Sequence, residues 1–545
     1  MEGIFVDIEP SHASGSTASR RDFFRRTIVG GVGAASAMAL SQALSACDSM
    51  PSSTATVSVD SGTFIDKSGD TITIGGKSTR WWTERYGSPL HITYAPAISA
   101  NIEAFKSVFD RYYPRGEVRY ATKAESHPAV MRKVLQTGAG ADVASPFELR
   151  SALDSGFHPE SLHINGNAKT DDLIDAAIEK DILIVADSVD ELDVIASRTQ
   201  RKRPRVLLRL SGFNLGNVTS TSLSTAGAWT KFGIAVDQVP DVLNRLSSYP
   251  VEVLGFHTHI GSQTIAVAAY ATVLGKMLEF GRKLKQLGHS FEIINIGGGF
   301  PCSYGTEVEW NTVLERIREG HRAAMNGDLS KVFMWENKLG GFSVDAAGQP
   351  REWVGEVFYA PFPKEQIVER LLAGNVTVDG QNLGTVEALR AAGEPRLIIE
   401  PGRAVIGEAG VTLAKIEFLK TLSNGHNLVS TDLNSQLFRE GRARLLSSLW
   451  NFTEDIRRKD ATNFQAFVAG NLCFWDDILS DAKIEFSRRP RRGEIMMISA
   501  TGAYSANVAA STANSFPRPN RLLIEDSGEV VEIKRADSYE QIYSL

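Results

Sequence analysis

Cysteine is nearly absent. Three residues, Cys47, Cys302 and Cys473, stand in a chain of 545, too few and too scattered for a disulfide framework. Surplus positive charge is absent too. Lys plus Arg number 58 against 64 Asp plus Glu, a formal net charge of -6, and no basic stripe is interleaved with aromatics, which excludes a nucleic-acid partner. No short-period internal repeat is present. What remains is 43% apolar and 22% charged, the composition of a soluble enzyme, and the length suits two folded domains with ample core.

The first fifty residues form an address. Ser19-Arg20-Arg21-Asp22-Phe23-Phe24 resembles a twin-arginine signal, and Arg25-Arg26 extend its charge. Residues 27–46 are apolar but rich in Gly, Ala and Ser. They end in Leu44-Ser45-Ala46-Cys47, which resembles a bacterial lipobox. The expectation is export to the periplasm or cell envelope, with a lipid anchor on Cys47 as one outcome and a soluble periplasmic product as the other. A single lipid chain would hold only marginally. Residues 48–80 read as a Ser/Thr/Pro-rich tether followed by short hairpin strands around Gly62 and Gly69.

From residue 92 onward, strand-like and helix-like runs alternate. Strand candidates are 118–121, 143–144, 162–165, 182–185, 206–210, 253–258, 293–296 and 397–400. Eight βα-like units over about 300 residues fit an α/β fold with a (β/α)8 TIM-like barrel. The barrel is expected over 81–405. After Gly410 the pattern turns to β runs, which predicts a C-terminal, mostly β domain over 406–545.

Five constellations carry chemistry. Val118-Arg119-Tyr120-Ala121-Thr122-Lys123-Ala124 puts a lysine at the end of a buried strand, where an amine is costly unless it is used as a nucleophile toward a carbonyl cofactor. Phe256-His257-Thr258-His259-Ile260-Gly261-Ser262-Gln263 offers a histidine that can stack on a planar ring and a serine that can reach a phosphate. The paired histidines have no carboxylate or cysteine near them at ligand spacing, so a metal site is not expected. Gly297-Gly298-Gly299 follows a strand and suits a phosphate cradle. Glu400-Pro401-Gly402-Arg403 combines a carboxylate able to keep a pyridine nitrogen protonated with an arginine able to pair with phosphate. Gly470-Asn471-Leu472-Cys473 and Gly502-Ala503-Tyr504 complete the set, with Cys473 a candidate proton donor.

Together these segments resemble the fold-type III pyridoxal-phosphate decarboxylases, the group of diaminopimelate and ornithine decarboxylases. Ile293–Tyr304 (IINIGGGFPCSY) and the ending Arg535-Ala536-Asp537-Ser538-Tyr539-Glu540 suggest the D-ornithine/D-lysine branch. The resemblance runs from about Trp81 to the C-terminus. It implies a barrel of the alanine-racemase type, pyridoxal 5'-phosphate as cofactor, and decarboxylation of a diamino or related acid, possibly D-configured. By the same resemblance Lys123 forms the aldimine and His259 stacks on the ring. Ser262, Gly297, Gly298, Gly299, Arg403 and Tyr504 serve the phosphate, and Glu400 binds the ring nitrogen. Cys473 reprotonates the substrate carbon. A homodimer is implied, with Cys473 and Tyr504 approaching from the partner subunit.

Three features depart from the family. Phe474 stands where an acid usually follows the cysteine, although Asp477 keeps the final acid of that motif; the usual acid helps to bind the distal amine of the substrate. Asp432 becomes the best remaining candidate for that amine, against the reading of a turn or N-cap aspartate. An aromatic-rich insertion over about 325–375 reads as a lid, a partner surface or a plain packed insertion. Export is the third departure. Two other functions compete: an amino-acid racemase on the same barrel, against which the Cys473 motif argues, and a non-catalytic binding homologue, against which Lys123, Glu400 and Arg403 argue together.

Overall fold

The computed structural model describes residues 57–198, 202–215, 224–438, 445–508 and 512–543. The signal-like segment, including Arg20, Arg21 and Cys47, lies outside the described residues. Among the described residues, no helix is long and apolar enough to cross a membrane.

Eight parallel strands close on themselves. They are β1 Gly116–Ala121, β2 Gly140–Val143, β3 Leu162–Ile164, β4 Leu183–Ala186, β5 Arg205–Ser211, β6 Glu252–His257, β7 Ile293–Asn295 and β8 Arg396–Ile399. Each pairs with its neighbour in sequence order, and β8 returns to β1 through Leu397↔Gly116 and Ile399↔Val118. All eight strands expected from the sequence are present, and the (β/α)8 barrel stands.

Strand parity sorts the side chains. Successive residues of a strand face opposite sides. Val206 and Leu208 point outward into the layer shared with the helices, while Leu207 points into the barrel. The inner apolar cluster is Leu183, Val185, Leu207, Leu254, Ile293 and Ile398. Two residues further along the same faces come Asp187, Arg209, Asn295 and Glu400. A register shift between Val253 and Gly255 rotates β6 so that His257 also follows Leu254 inward. The lower barrel is therefore apolar and the upper barrel, at the carboxyl ends, is polar. That is the end at which barrel enzymes place their sites.

The second domain is a sheet built on β9, Gly410–Thr421. Its strand order is Ile478–Phe486, Phe464–Ala469, Asn427–Thr431, β9, Leu90–Tyr94, Asn520–Ile524, Val530–Lys534. The boundary read from the sequence needs correction here. Leu90–Tyr94 was assigned to the barrel but lies between β9 and Asn520–Ile524. The helix Thr79–Tyr86 goes with it, because Trp82 is fully buried among Ile74, Leu90, Ile92 and Val411. The barrel proper starts at the helix Ala95–Tyr112. The short strands Ile65–Asp66, Thr73–Ile74 and Lys77–Ser78 form a small antiparallel sheet, and Val59 ties them to the same domain by donating to the Gly528 carbonyl.

The insertion is packed rather than hinged over the barrel. Phe333, Phe342 and Phe358 share a core with Ala414, Ile416 and Val429 of the β domain.

Candidate active site

At the carboxyl ends of the strands lies a cavity of about 520 Å³, lined by Lys123, Asp142, Arg209, His259, Ser262, Glu400, Arg403 and Tyr504 among others. An adjoining recess adds Gly299, Phe300 and Gly402. Residues almost 400 positions apart in sequence therefore share one pocket.

Lys123 sits in a single helical turn, Thr122–Ala124, directly after β1. Three contacts hold that turn: the Thr122 hydroxyl donates to the Asp142 carbonyl (2.7 Å), the Tyr504 amide donates to the Ala124 carbonyl (3.0 Å), and the Asn507 side chain donates to the Lys123 carbonyl (3.1 Å). The Lys123 Nζ donates to Asp142 Oδ2 at 3.3 Å. Its side chain is 46% exposed, but into the pocket rather than to bulk water. Burial works against the ammonium and the Asp142, Tyr504 and Glu400 charges outweigh it, so its pKa is raised. Without cofactor this lysine is a cation held by Asp142, and the neutral amine has to be generated on binding.

Glu400 follows β8 and is buried at the floor. Its Oε1 is met by three nitrogens: His163 Nε2 at 2.7 Å, the donating Asn295 Nδ2 at 2.7 Å and His257 Nε2 at 3.1 Å. Its Oε2 has no hydrogen-bond partner. Burial raises the Glu400 pKa, but the histidines overcome it, and the carboxylate stays ionised. All three nitrogens converge on one oxygen and leave the other for a ligand donor.

His163, inward on β3, is the hub of this floor. Its Nε2 also lies 3.2 Å from Asp142 Oδ1. Burial disfavours its charged form, yet the two carboxylates outweigh burial and raise its pKa. The Asp142, His163 and Glu400 ligand atoms are close enough together to hold an ion. The separation of 2.7 Å between His163 and Glu400 is, however, direct hydrogen-bond contact, and an N–H there leaves no lone pair for a metal. His163→Leu is expected to destabilise the cofactor-free protein by about 3 kcal/mol, because buried Glu400 loses a hydrogen-bond partner and buried Asp142 a neighbouring charge. Thermal melting checks this, and His163→Gln, which can supply an N–H, is expected to lose less.

His259 is oriented by the Gly298 amide, which donates to its Nδ1 at 3.0 Å. Burial and the Lys123 charge push its pKa down to about 3, so the ring is neutral. The glycine triplet needs a partial correction. The Gly297 amide is spent on Asn295 Oδ1 and the Gly298 amide on His259, so of the three only Gly299 lines the pocket. The other two are glycines for closeness. A Cβ on Gly298 would lie 2.2 Å from the Glu400 carbonyl, and one on Gly297 would lie 2.4 Å from that of Thr258.

Tyr504 was expected to come from a partner subunit. Instead it lines the pocket of its own chain, with the Arg403 guanidinium 5.2 Å from its ring centre. Cys473, by contrast, is exposed and lines neither recess. Its loop is braced by Asp477, whose Oδ1 accepts from the Ser435 amide (2.7 Å) and Oδ2 from the Leu472 amide (2.8 Å). Both oxygens accept main-chain amides, which gives Asp477 a bracing role in this loop. Asp432 accepts from the Lys415 amide at 2.8 Å, and its carbonyl receives the Asn471 side chain of the same loop. Burial raises its pKa to about 6. Cys302 is fully buried, and burial pushes its thiol up to about 11, so it is inert.

The sequence profile of the pyridoxal-dependent decarboxylase, pyridoxal binding domain, matches residues 97–335. Over these residues the chain resembles the fold-type III pyridoxal-phosphate decarboxylases. Over 484 residues it is 26% identical to a diaminopimelate decarboxylase of Bacillus methanolicus, covering 85% of this chain and 94% of that one. It is 24% identical to that of Aquifex aeolicus over 474 residues, 86% and 94% of the two chains. Among solved structures, diaminopimelate decarboxylase from M. jannaschii in complex with L-lysine superposes with a TM-score of 0.68 at 21% identity, covering 89% of this chain and 98% of that one. Lysine/ornithine decarboxylase from Vibrio vulnificus complexed with putrescine gives 0.59 at 17% identity, covering 82% and 97%.

The pocket fits the family cofactor. Glu400 Oε2 is an unpartnered buried acceptor for a protonated ring nitrogen, Lys123 is an amine for a carbonyl, and Ser262, Gly299, Arg403 and Tyr504 gather where an anionic group can bind. Several of the residues that build this site were not picked out as functional from sequence: Asp142, His163, Arg209, Asn295 and Glu356. The first four face inward by strand parity, a signal that becomes readable once the register is known. Glu356 comes from the insertion and carries no such signal.

Proposed function

We propose that this enzyme decarboxylates an amino acid with a cationic side chain, a diamino acid or close relative, to the amine and CO2. The observation that carries the reading is the one-sided Glu400: three nitrogens on Oε1 and a buried, unpartnered Oε2, in the pocket that holds Lys123. Bound pyridoxal phosphate would supply an electron sink for the charge left when CO2 departs. The residues supply the rest. Lys123 would hold the cofactor carbonyl and pass its proton to Asp142 or a departing group. Glu400, kept ionised by the floor, would keep a ring nitrogen protonated. His259, neutral and fixed by Gly298, would present its ring face to a planar ligand without adding charge. Arg403, Ser262 and the Gly299 backbone would fix the anionic end.

Cys473 would act as proton donor only if a second copy of the chain brings its loop to this pocket, so the proposal includes a homodimer with shared sites. Support comes from the exposed side chains beside it, Phe474 at 47% and Trp475 at 74%. Residues 1–47 are read as an export signal, which would place the reaction in the periplasm or cell envelope.

The test is an absorbance titration of the purified chain with pyridoxal phosphate, then with D- and L-amino acids. A Schiff-base band that shifts with lysine or ornithine, accompanied by CO2 release, is the expected result. A folded sample that forms no such band refutes the reading.

A further inference from the structure

Three acids line the cavity: Asp142, Glu400 and Glu356. The first two belong to the floor, Asp142 beside Lys123 and His163, Glu400 with three nitrogens on one oxygen. Glu356 comes from the insertion. Its Oε1 lies 3.4 Å from Arg403 Nη2, and its side chain is 18% exposed.

The main chain around Glu356 is pinned at three successive carbonyls. Trp353 Nε1 donates to the Glu356 carbonyl (2.9 Å), Gln263 Nε2 to the Val357 carbonyl (2.8 Å), and the Tyr304 amide to the Phe358 carbonyl (2.9 Å). Gln263 is buried and has φ of 51°, and its Oε1 accepts from the Cys302 amide at 2.8 Å. It is the residue after Ser262. A strut from the cofactor-binding segment therefore fixes the insertion at the pocket wall, and with it the carboxylate.

The structure assigns to Glu356 the role of receiving the distal cationic group of the substrate. This rests on the decarboxylase reading above and names its substrate-specificity residue. The position after Cys473, Phe474, is apolar. Asp477 braces the Cys473 loop by accepting the Ser435 and Leu472 amides, and neither Asp477 nor Asp432 lines a recess of its own chain. Glu356 alone of the pocket acids lies off the floor. A half-buried carboxylate needs a cation. Arg403 is such a cation here, and an anionic group bound beside Arg403 would compete for the guanidinium. A substrate ammonium would then restore the balance, while a neutral side chain would not. The insertion thus delivers a carboxylate from within the same chain.

The test uses the holoenzyme loaded with pyridoxal phosphate and two amine probes of equal length, cadaverine and pentylamine, titrated by the shift in cofactor absorbance. Wild type is expected to bind cadaverine at least about tenfold more tightly than pentylamine, a charge–charge preference of the size that buried ionic hydrogen bonds give. Glu356→Gln is expected to remove most of that preference, and to raise KM for lysine or ornithine about tenfold while changing kcat less. Cofactor content and melting temperature are measured alongside. Glu356→Asp serves as a second variant, expected to keep part of the preference if Glu356→Gln folds poorly. A preference that survives in Glu356→Gln, or that vanishes instead in Asp432→Asn, overturns the assignment and leaves the decarboxylase reading intact. A wild type that forms no Schiff base overturns both.

Discussion

Lys123→Ala is expected to lower turnover by at least about 10³-fold, the scale on which a positioned nucleophile and proton carrier contributes. The same variant should lose the absorbance of the enzyme-bound Schiff base while still folding. The physical reason is specific to this pocket. Among the side chains lining the two recesses, Lys123 is the only primary amine, and its turn is clamped from two domains, by the Asp142 carbonyl of the barrel through Thr122 and by Tyr504 and Asn507 of the β domain. The clamp does not depend on the ammonium, because the contacts to Ala124 and Lys123 are made to carbonyls. The fold should therefore tolerate the loss of the side chain. Unchanged turnover would mean that the reaction does not pass through Lys123.

Gly299→Ala is expected to be the most damaging small substitution in the site. The residue has φ of 83°, and an added Cβ would fall 1.9 Å from the Gly261 carbonyl, a main-chain atom on the segment that carries Ser262. Neither side can yield cheaply, since Gly299 also accepts from the Thr264 amide at 2.9 Å. Left-handed strain and overpacking each cost about 1–3 kcal/mol, so a loss of about 2–6 kcal/mol is expected. Calorimetry measures it, and the affinity for pyridoxal phosphate should fall in the same variant. A melting temperature equal to wild type would show that the loop relaxes without cost.

The eight barrel strands were legible because their information is local. Apolar runs such as 206–210 and 293–296 stand out against the helical spacing between them, and the motif lysine, histidine, glycines and glutamate all fall at their ends. Leu90–Tyr94 is equally strand-like, but its partners are more than 300 and 400 residues away, and nothing local distinguishes a strand of the barrel from a strand of the β sheet. His163 was invisible for another reason. It is one residue in a three-residue strand, and only the register that sends Leu162 and Ile164 outward turns it toward Glu400. Asp477 looked like a substrate acid from its motif, but its bracing role rests on two amides, one of them 42 positions away. Glu356 sits in irregular chain held by Gln263, a contact between a side chain and a distant carbonyl that no periodicity encodes.

The β sheet interleaves the two ends of the described chain, with Leu90–Tyr94 flanked by β9 and Asn520–Ile524. On a ribosome this imposes an order of events. The segment from Val57 to Tyr94 emerges before the barrel and waits with Trp82, Leu90 and Ile92 uncovered, while the intervening barrel can form from contacts between neighbouring strands. The sheet is sealed only when the strand at 520–524 arrives, so the slowest closure is the one of longest sequence separation. The clamp on Lys123 by Tyr504 and Asn507 belongs to that last act. A nascent barrel would hold its strands before it could hold its lysine, and competence to bind cofactor would follow the emergence of Tyr504 and Asn507 rather than the closing of the barrel.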